Sequence, residues 1–208
     1  FYDVRERQAA HALIEGIEYL SNVQIHLDTP TDSIEVAGYW AHGAERVPIY
    51  VGIGDHQCSL LGAGLVNAQS LSVNLGTGAQ VSTLEDRWTP QEAETRPYFS
   101  GHMLKTITHI PGGRALAEHV EFLGEVSGQT EAIWQRLAAC QIDDIQTSTL
   151  QFGLSLFPSA RGYTDGGYIR HIGEGTWTLD NYLCSLLRTF VRQYVDIMRL
   201  FDPRDQME

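Results

Sequence analysis

At 208 residues, with 43% apolar and 19% charged side chains, the chain has the composition of a globular protein. It is long enough for one large domain or two small ones. A net charge of −12, with Lys105 the single lysine, argues against nucleic acid or an acidic membrane surface as a partner.

Cys58, Cys140 and Cys184 have no CxxC spacing. They point away from a disulfide framework and towards a reducing, cytoplasmic setting. No apolar run approaches the roughly 18–20 residues that cross a bilayer, and the opening FYDVRERQ lacks the order of a signal peptide. The eight histidines form no HxH or HxxxH pair, so no metal site is expected.

In chain order, Arg7–Leu20 carries Ala10, Leu13, Ile14, Ile17 and Leu20 at helical spacing. Asp28–Ser33 is polar and turn-rich, and 34–40 reads as loop or edge strand. Val47–Ile53 is a β-branched run with the look of a buried strand, closed by Gly54. Gln57–Leu65 reads as a helix packed close to a sheet, with Cys58 as a small core residue. Ser70–Asn74 and Ala79–Leu84 bracket a glycine turn and suggest paired strands.

A further strand lies within Pro97–Ile110, with Met103, Ile107 and Ile110 inward. Pro111-Gly112-Gly113 breaks the chain before a helix over Arg114–Val126. A second helix follows over Thr130–Ala139, with Thr130 placed to cap it. Thr147–Pro158 is a short apolar stretch, and a glycine-rich loop runs on to Gly175. Tyr163–His171 within it fits a sugar-edge loop or a surface excursion. Leu179–Phe201 is the longest helical pattern, with a core-facing stripe from Leu183 to Leu200. Strands and helices alternating in this way predict an α/β domain.

The chemistry concentrates between Val47 and Glu85. Asp55 follows an apolar strand, and Gly76-Thr77-Gly78 follows about twenty residues later. A carboxylate that can accept a proton, together with a tight turn whose N–H groups can meet a phosphate, suits phosphoryl transfer to a hydroxyl. Glycines let phosphate oxygens come close to the backbone. An acidic chain can still take an anion, because backbone dipoles and Mg²⁺ supply local positive field. Two readings of each feature stay open. Asp55 is either a base or a helix cap, the glycine turn either a phosphate site or an ordinary hairpin turn, and His56 either a sugar contact or a structural histidine.

GDHQ after an apolar strand, then NLGTGAQVS, then a Gly-Gly helix start, resembles the FGGY carbohydrate kinases, most closely the sedoheptulokinase and xylulokinase branch. The resemblance begins near Glu35 (EVAGYW) and runs to about Phe201. It implies an actin-like ATPase (RNase-H-like) fold, here incomplete. Residues 1–34 would be a remnant of, or link from, a first domain, and 35–208 the second, nucleotide-side domain.

By the same resemblance Asp55 is the general base, and His56 and Gln57 contact the sugar. Gly76, Thr77 and Gly78 hold the ATP phosphates, with Gly112 and Gly113 as a second glycine site. ATP and Mg²⁺ are the implied cofactors, and a ketose or polyol is the acceptor. The family's opening Asp-x-Gly-Thr phosphate loop is absent before Glu35, and FDPRDQME stands where a further strand should begin. A partial chain is therefore expected, needing a first-domain segment or self-associating through exposed apolar surface. The rival readings are a non-catalytic sugar- or nucleotide-binding remnant and an actin-like phosphatase or ATPase without a sugar acceptor.

Overall fold

The computed structural model describes residues 2–26, 36–88 and 92–201. The turn-rich stretch at 28–33, the start of the EVAGYW segment and the tail after Phe201 lie outside them. The chain folds as two compact units. One comprises Phe1–Ser72 with Ser82–Thr106, and the other Val73–Val81 with Ile107–Glu208.

The chain opens with a short antiparallel pair, β1 (Tyr2–Asp3) and β2 (Gln8–Ala9). Helix α1 (His11–Ser21) begins four residues later than its periodicity suggests, because residues 8–9 are spent on β2. It ends at Asn22, which takes the left-handed conformation at φ 54° and returns its N–H to Glu18 O.

β3 (Val36–His42) and β4 (Glu45–Tyr50) form an antiparallel hairpin. The buried strand expected at Val47–Ile53 is therefore corrected. Every residue of β4 is exposed, including Val47 and Ile49, and Val51–Gly54 is irregular. β-Branched composition signals a pleated strand, not what covers it.

Helix α2 (Asp55–Gly62) follows, and Cys58 on it is exposed rather than in the core. Leu60 points inward with Leu65, Leu84, Tyr98 and Leu104 to form the first unit's core. Tyr98 satisfies its buried hydroxyl by donating to Leu65 O at 2.8 Å.

The main sheet has the order β5-β6-β8-β7, from β5 (Leu71–Leu75), β6 (Gly78–Glu85), β7 (Glu94–Pro97) and β8 (Met103–Pro111). Only Gly76 and Thr77 separate β5 from β6, a link short enough to join only antiparallel neighbours. β7 pairs antiparallel with β8, so that Glu94 faces Thr106 and Pro97 faces Met103. Met103, Ile107 and Ile110 are buried as expected, and so are Leu104 and Thr106. Burial at adjacent positions is the mark of a strand covered on both faces. A one-sided reading of the strand therefore misses Leu104 and Thr106, two of these five.

Beyond the sheet come α3 (Gly113–Ser127), α4 (Thr130–Ala138), α5 (Ile142–Thr147), the antiparallel pair β9 (Gln151–Gly153) and β10 (Tyr168–Arg170), and α6 (Leu179–Phe201). α3 stops at Gly128, whose φ of 72° suits a residue without Cβ. The cap of α4 is Gln129, not Thr130, which is the first helical residue. α6 has the bounds that its sequence pattern predicts. Thr178 Oγ1 accepts the Asn181 N–H at 3.3 Å, a cap bond to the first turn, and Asp180 and Arg199 sit at the ends the helix dipole favours.

α6 packs on α4, α5 and β9, and Leu183 and Leu186 meet Val120, Ile133, Leu137 and Phe152 in the second unit's core. Within the expected stripe, Val191 and Leu200 are exposed.

His119 lies in this layer, its Nδ1 at 2.8 Å from Tyr182 Oη. Burial pushes the Tyr182 phenol up to about 12, so Tyr182 donates and His119 accepts as a neutral ring. Burial also lowers the pKa of His119 from its ordinary value near 6.5, against a smaller opposing pull from Glu118. The unfolded chain therefore takes up this proton first as pH falls. The stability contributed by the neutral ring is full above about pH 6.5 and is lost as pH drops through the lowered folded value. Urea midpoints measured across that range should fall on the acid side. His119→Gln, which keeps an acceptor without titrating there, should flatten the fall. An unchanged slope would assign it elsewhere.

Candidate functional site

The glycines come together within the second unit. Gly113 N–H donates to Gly76 O at 2.7 Å, and Arg114 N–H donates to Thr77 O at 3.2 Å. The first donors of α3 are thus capped by the carbonyls of the glycine turn. Gly112, buried just before the helix, makes this approach possible. A Cβ built on it would lie 2.6 Å from Gly76 O and 2.8 Å from Thr77 O.

The capping fixes how the turn is oriented. Among the described residues no peptide bond is cis, and a trans peptide directs its N–H opposite its carbonyl. With the Gly76 and Thr77 carbonyls turned onto α3, the N–H groups of Thr77 and Gly78 face the other way. A Cβ on Gly78 would meet nothing within 4 Å.

A cavity of about 190 Å³ adjoins the turn, lined by Thr77, Gly78, His109, Gly112, Arg114 and Phe157 among others. The exposed Arg114 holds its guanidinium carbon 3.6 Å from the centre of the Phe157 ring. His109 has left-handed backbone at φ 58°, and its carbonyl accepts Arg161 N–H at 2.7 Å. The outward-turned N–H groups of Thr77 and Gly78 and one guanidinium are a setting for a phosphate-sized anion. Sequence reasoning passed over Arg114, His109 and Phe157. The usable signal was an arginine directly after a Gly-Gly helix start.

The other three residues singled out in the sequence stand at the start of α2, in the first unit. Gly54 is the N-cap, and Asp55 is the first helical residue. Its exposed carboxylate accepts the N–H of His56 at 2.7 Å. Asp55 therefore lies at the positive end of the helix, where an ionised carboxylate is favoured. His56 has a lowered pKa, first through burial and then through Arg96, with Asp55 and Glu94 opposing, so it is held neutral. Its Nε2 is out of solvent and has no hydrogen-bond partner among the described residues.

Gln57 turns inward. Its amide donates to Pro97 O at 3.3 Å, and its Oε1 would lie 2.5 Å from a Cβ on Gly54. It braces the turn before α2.

No family model matches the sequence, and no curated protein does. Solved structures do match. The chain superposes on the xylulose kinase from Rhodospirillum rubrum with a TM-score of 0.75 at 14% identity, over 96% of this chain and 42% of that one. The chain has the fold of part of a xylulose kinase. A ligand-bound xylulose kinase from Lactobacillus acidophilus matches with a TM-score of 0.58 at 13% identity, over 73% of this chain and 31% of that one. The enzyme from Bifidobacterium adolescentis matches at 0.55 and 16%, over 72% and 29%.

The chain thus spans less than half the length of these xylulose kinases. The resemblance to FGGY-type kinases read from GDHQ, the glycine turn and the Gly-Gly helix start holds at the level of the fold. The xylulose-kinase fold here mixes helices and sheet, as the α/β expectation required. Among the described residues no helix is long and apolar enough to cross a membrane.

Proposed function

We propose that the chain is part of an ATP-dependent carbohydrate kinase, with residues 35–208 as the nucleotide-side domain of an actin-like ATPase fold. The observation that carries this reading is the glycine turn clamped onto the start of α3, its Thr77 and Gly78 N–H groups turned away from the helix beside Arg114. The shared fold with xylulose kinases supports it.

In this reading Thr77 and Gly78 donate to the phosphates of ATP, and Arg114 balances their charge. Gly112 and Gly113 contribute by allowing the close approach of α3. Asp55 takes the proton of a ketose or polyol hydroxyl as its oxygen attacks the γ-phosphorus, and ADP leaves with the bond's electron pair. His56, kept neutral, offers a hydrogen bond to the sugar, and Gln57 holds the turn in front of Asp55.

Mg²⁺ in such reactions is held largely by phosphate oxygens, with few protein ligands. Bound in that way, it would neutralise charge on the β- and γ-phosphates.

Gly78→Val tests the phosphate turn. Its new side chain meets open space, so the fold should persist while ATP affinity falls at least about tenfold through loss of close approach. Calorimetric titration with ATP checks this in the intact protein, and unchanged affinity would remove the phosphate role of the turn. ADP release that requires added sugar separates a kinase from an acceptor-independent ATPase. Binding without any ADP would leave a non-catalytic module.

A further inference from the structure

Outside the proposed nucleotide and sugar sites, the second unit brings two sulfurs together. Cys140, just past the end of α4, and Cys184, buried on α6, have their Sγ atoms 3.2 Å apart, with the Cys184 thiol donating. Both are free thiols, and they come from positions 44 apart in sequence. Beside them lies a cavity of about 390 Å³ whose lining includes Arg136, Cys140, Asp144, Ser148, Asp180 and Cys184. Arg136 and Asp180 are largely exposed, so solvent reaches its edge.

We propose that Cys140 and Cys184 form a reversible dithiol–disulfide pair, closed by exchange with a small cationic disulfide admitted through this cavity. The sulfurs need approach by only about 1 Å to reach bonding distance, near 2.05 Å. Both partners stand in helical surroundings that already hold them face to face. α4 and α6 are further joined by a two-point bond from Arg136 Nε and an Nη to the Asp180 carboxylate, at 2.9 and 3.0 Å.

The order of events follows from access. Cys140 is half-buried while Cys184 is buried, so Cys140 meets the incoming reagent. Burial and the contact with Cys140 push the Cys184 thiol up to about 12, with smaller contributions from Asp144 and Asp180. Cys184 therefore acts second. With Asp180 paired to Arg136, the lining keeps the net negative charge of Asp144, which favours a cationic reagent over an anionic one.

In the first step the Cys140 thiolate attacks one sulfur of the reagent and displaces the other as a thiolate, which takes a proton from water. In the second, Cys184 loses its proton to solvent and attacks the Cys140 sulfur, releasing the remaining half as a second thiolate. Two protein thiols are oxidised to one disulfide, and one reagent disulfide is reduced to two thiols. The product ties the end of α4 to α6.

The test uses the full chain carrying Cys58→Ser, which removes the exposed thiol, with cystamine as the reagent under native conditions. The expected product is lighter by the mass of two hydrogens and carries no adduct. Its Cys140 and Cys184 resist alkylation until reduced and appear as one cross-linked peptide. Far-UV circular dichroism should be unchanged. The further change Cys184→Ser should stop the reaction at a single stable adduct on Cys140.

A lasting adduct on Cys140 with Cys184 still open to alkylation would overturn the proposal. So would cross-linking only in urea, or cross-linking accompanied by loss of helix.

Discussion

Gly112→Ala is expected to lower the stability of the chain by about 3 kcal/mol, a loss read directly as a fall in the urea midpoint. The residue has φ −110°, so backbone strain is not the reason. The reason is space. The added methyl would lie 2.6 Å from Gly76 O, 2.8 Å from Thr77 O and 2.9 Å from Gly78 C, all backbone atoms that no rotamer change can move aside.

Relief requires α3 to part from the turn, at the cost of the two bonds from Gly113 and Arg114 N–H. Neighbouring glycines provide a graded series. A Cβ on Gly113 meets Gly76 O at 3.2 Å, so Gly113→Ala should cost less, partly offset by alanine's better helix propensity. Gly78→Ala meets nothing within 4 Å and should be near neutral. Equal midpoints for all three variants would mean that the turn and α3 are not clamped as described.

The same series explains what could be read from the sequence and what could not. The Gly-Gly break and the GTG turn were visible because glycines clustered between apolar runs mark turns, although only Gly112 stands where a side chain does not fit. Their partnership was not visible, because it depends on a tertiary hydrogen bond between residues 76 and 113. The bounds of α6 were legible, since its apolar stripe repeats over 23 residues, although Val191 and Leu200 of that stripe are exposed.

Short elements carried no comparable signal. β7, β9, β10 and α5 have from three to six residues each, too few to show a period. Composition misled at β4 and Cys58, because apolar character reports a preference for burial while exposure depends on what packs alongside. In the candidate site, Asp55 could be located from the sequence. The inward turn of Gln57 depends on Pro97, forty positions away, and no local pattern encodes it.

Asp55→Asn should reduce sugar-dependent ADP formation by the intact protein about 10²- to 10⁴-fold, with little change in the apparent affinity for sugar or ATP. The substitution separates two roles that one side chain can hold at once. As the first residue of α2, Asp55 accepts the His56 N–H at 2.7 Å, and asparagine keeps an oxygen able to do the same. The change to helix stability should stay within about 0.5 kcal/mol, because only the interaction of one exposed charge with the helix dipole is lost.

An amide cannot take the hydroxyl proton, so the chemical step should slow while folding and binding persist. That split is the signature of a base, whereas a residue that only favours the start of the helix would leave turnover unchanged, because asparagine keeps the bond to His56 N–H. A variant that turns over within about twofold of the parent protein would leave Asp55 as a first-turn helix residue only, and the proton would have to go to another group. A variant that loses turnover only in step with its urea midpoint would point to the same conclusion.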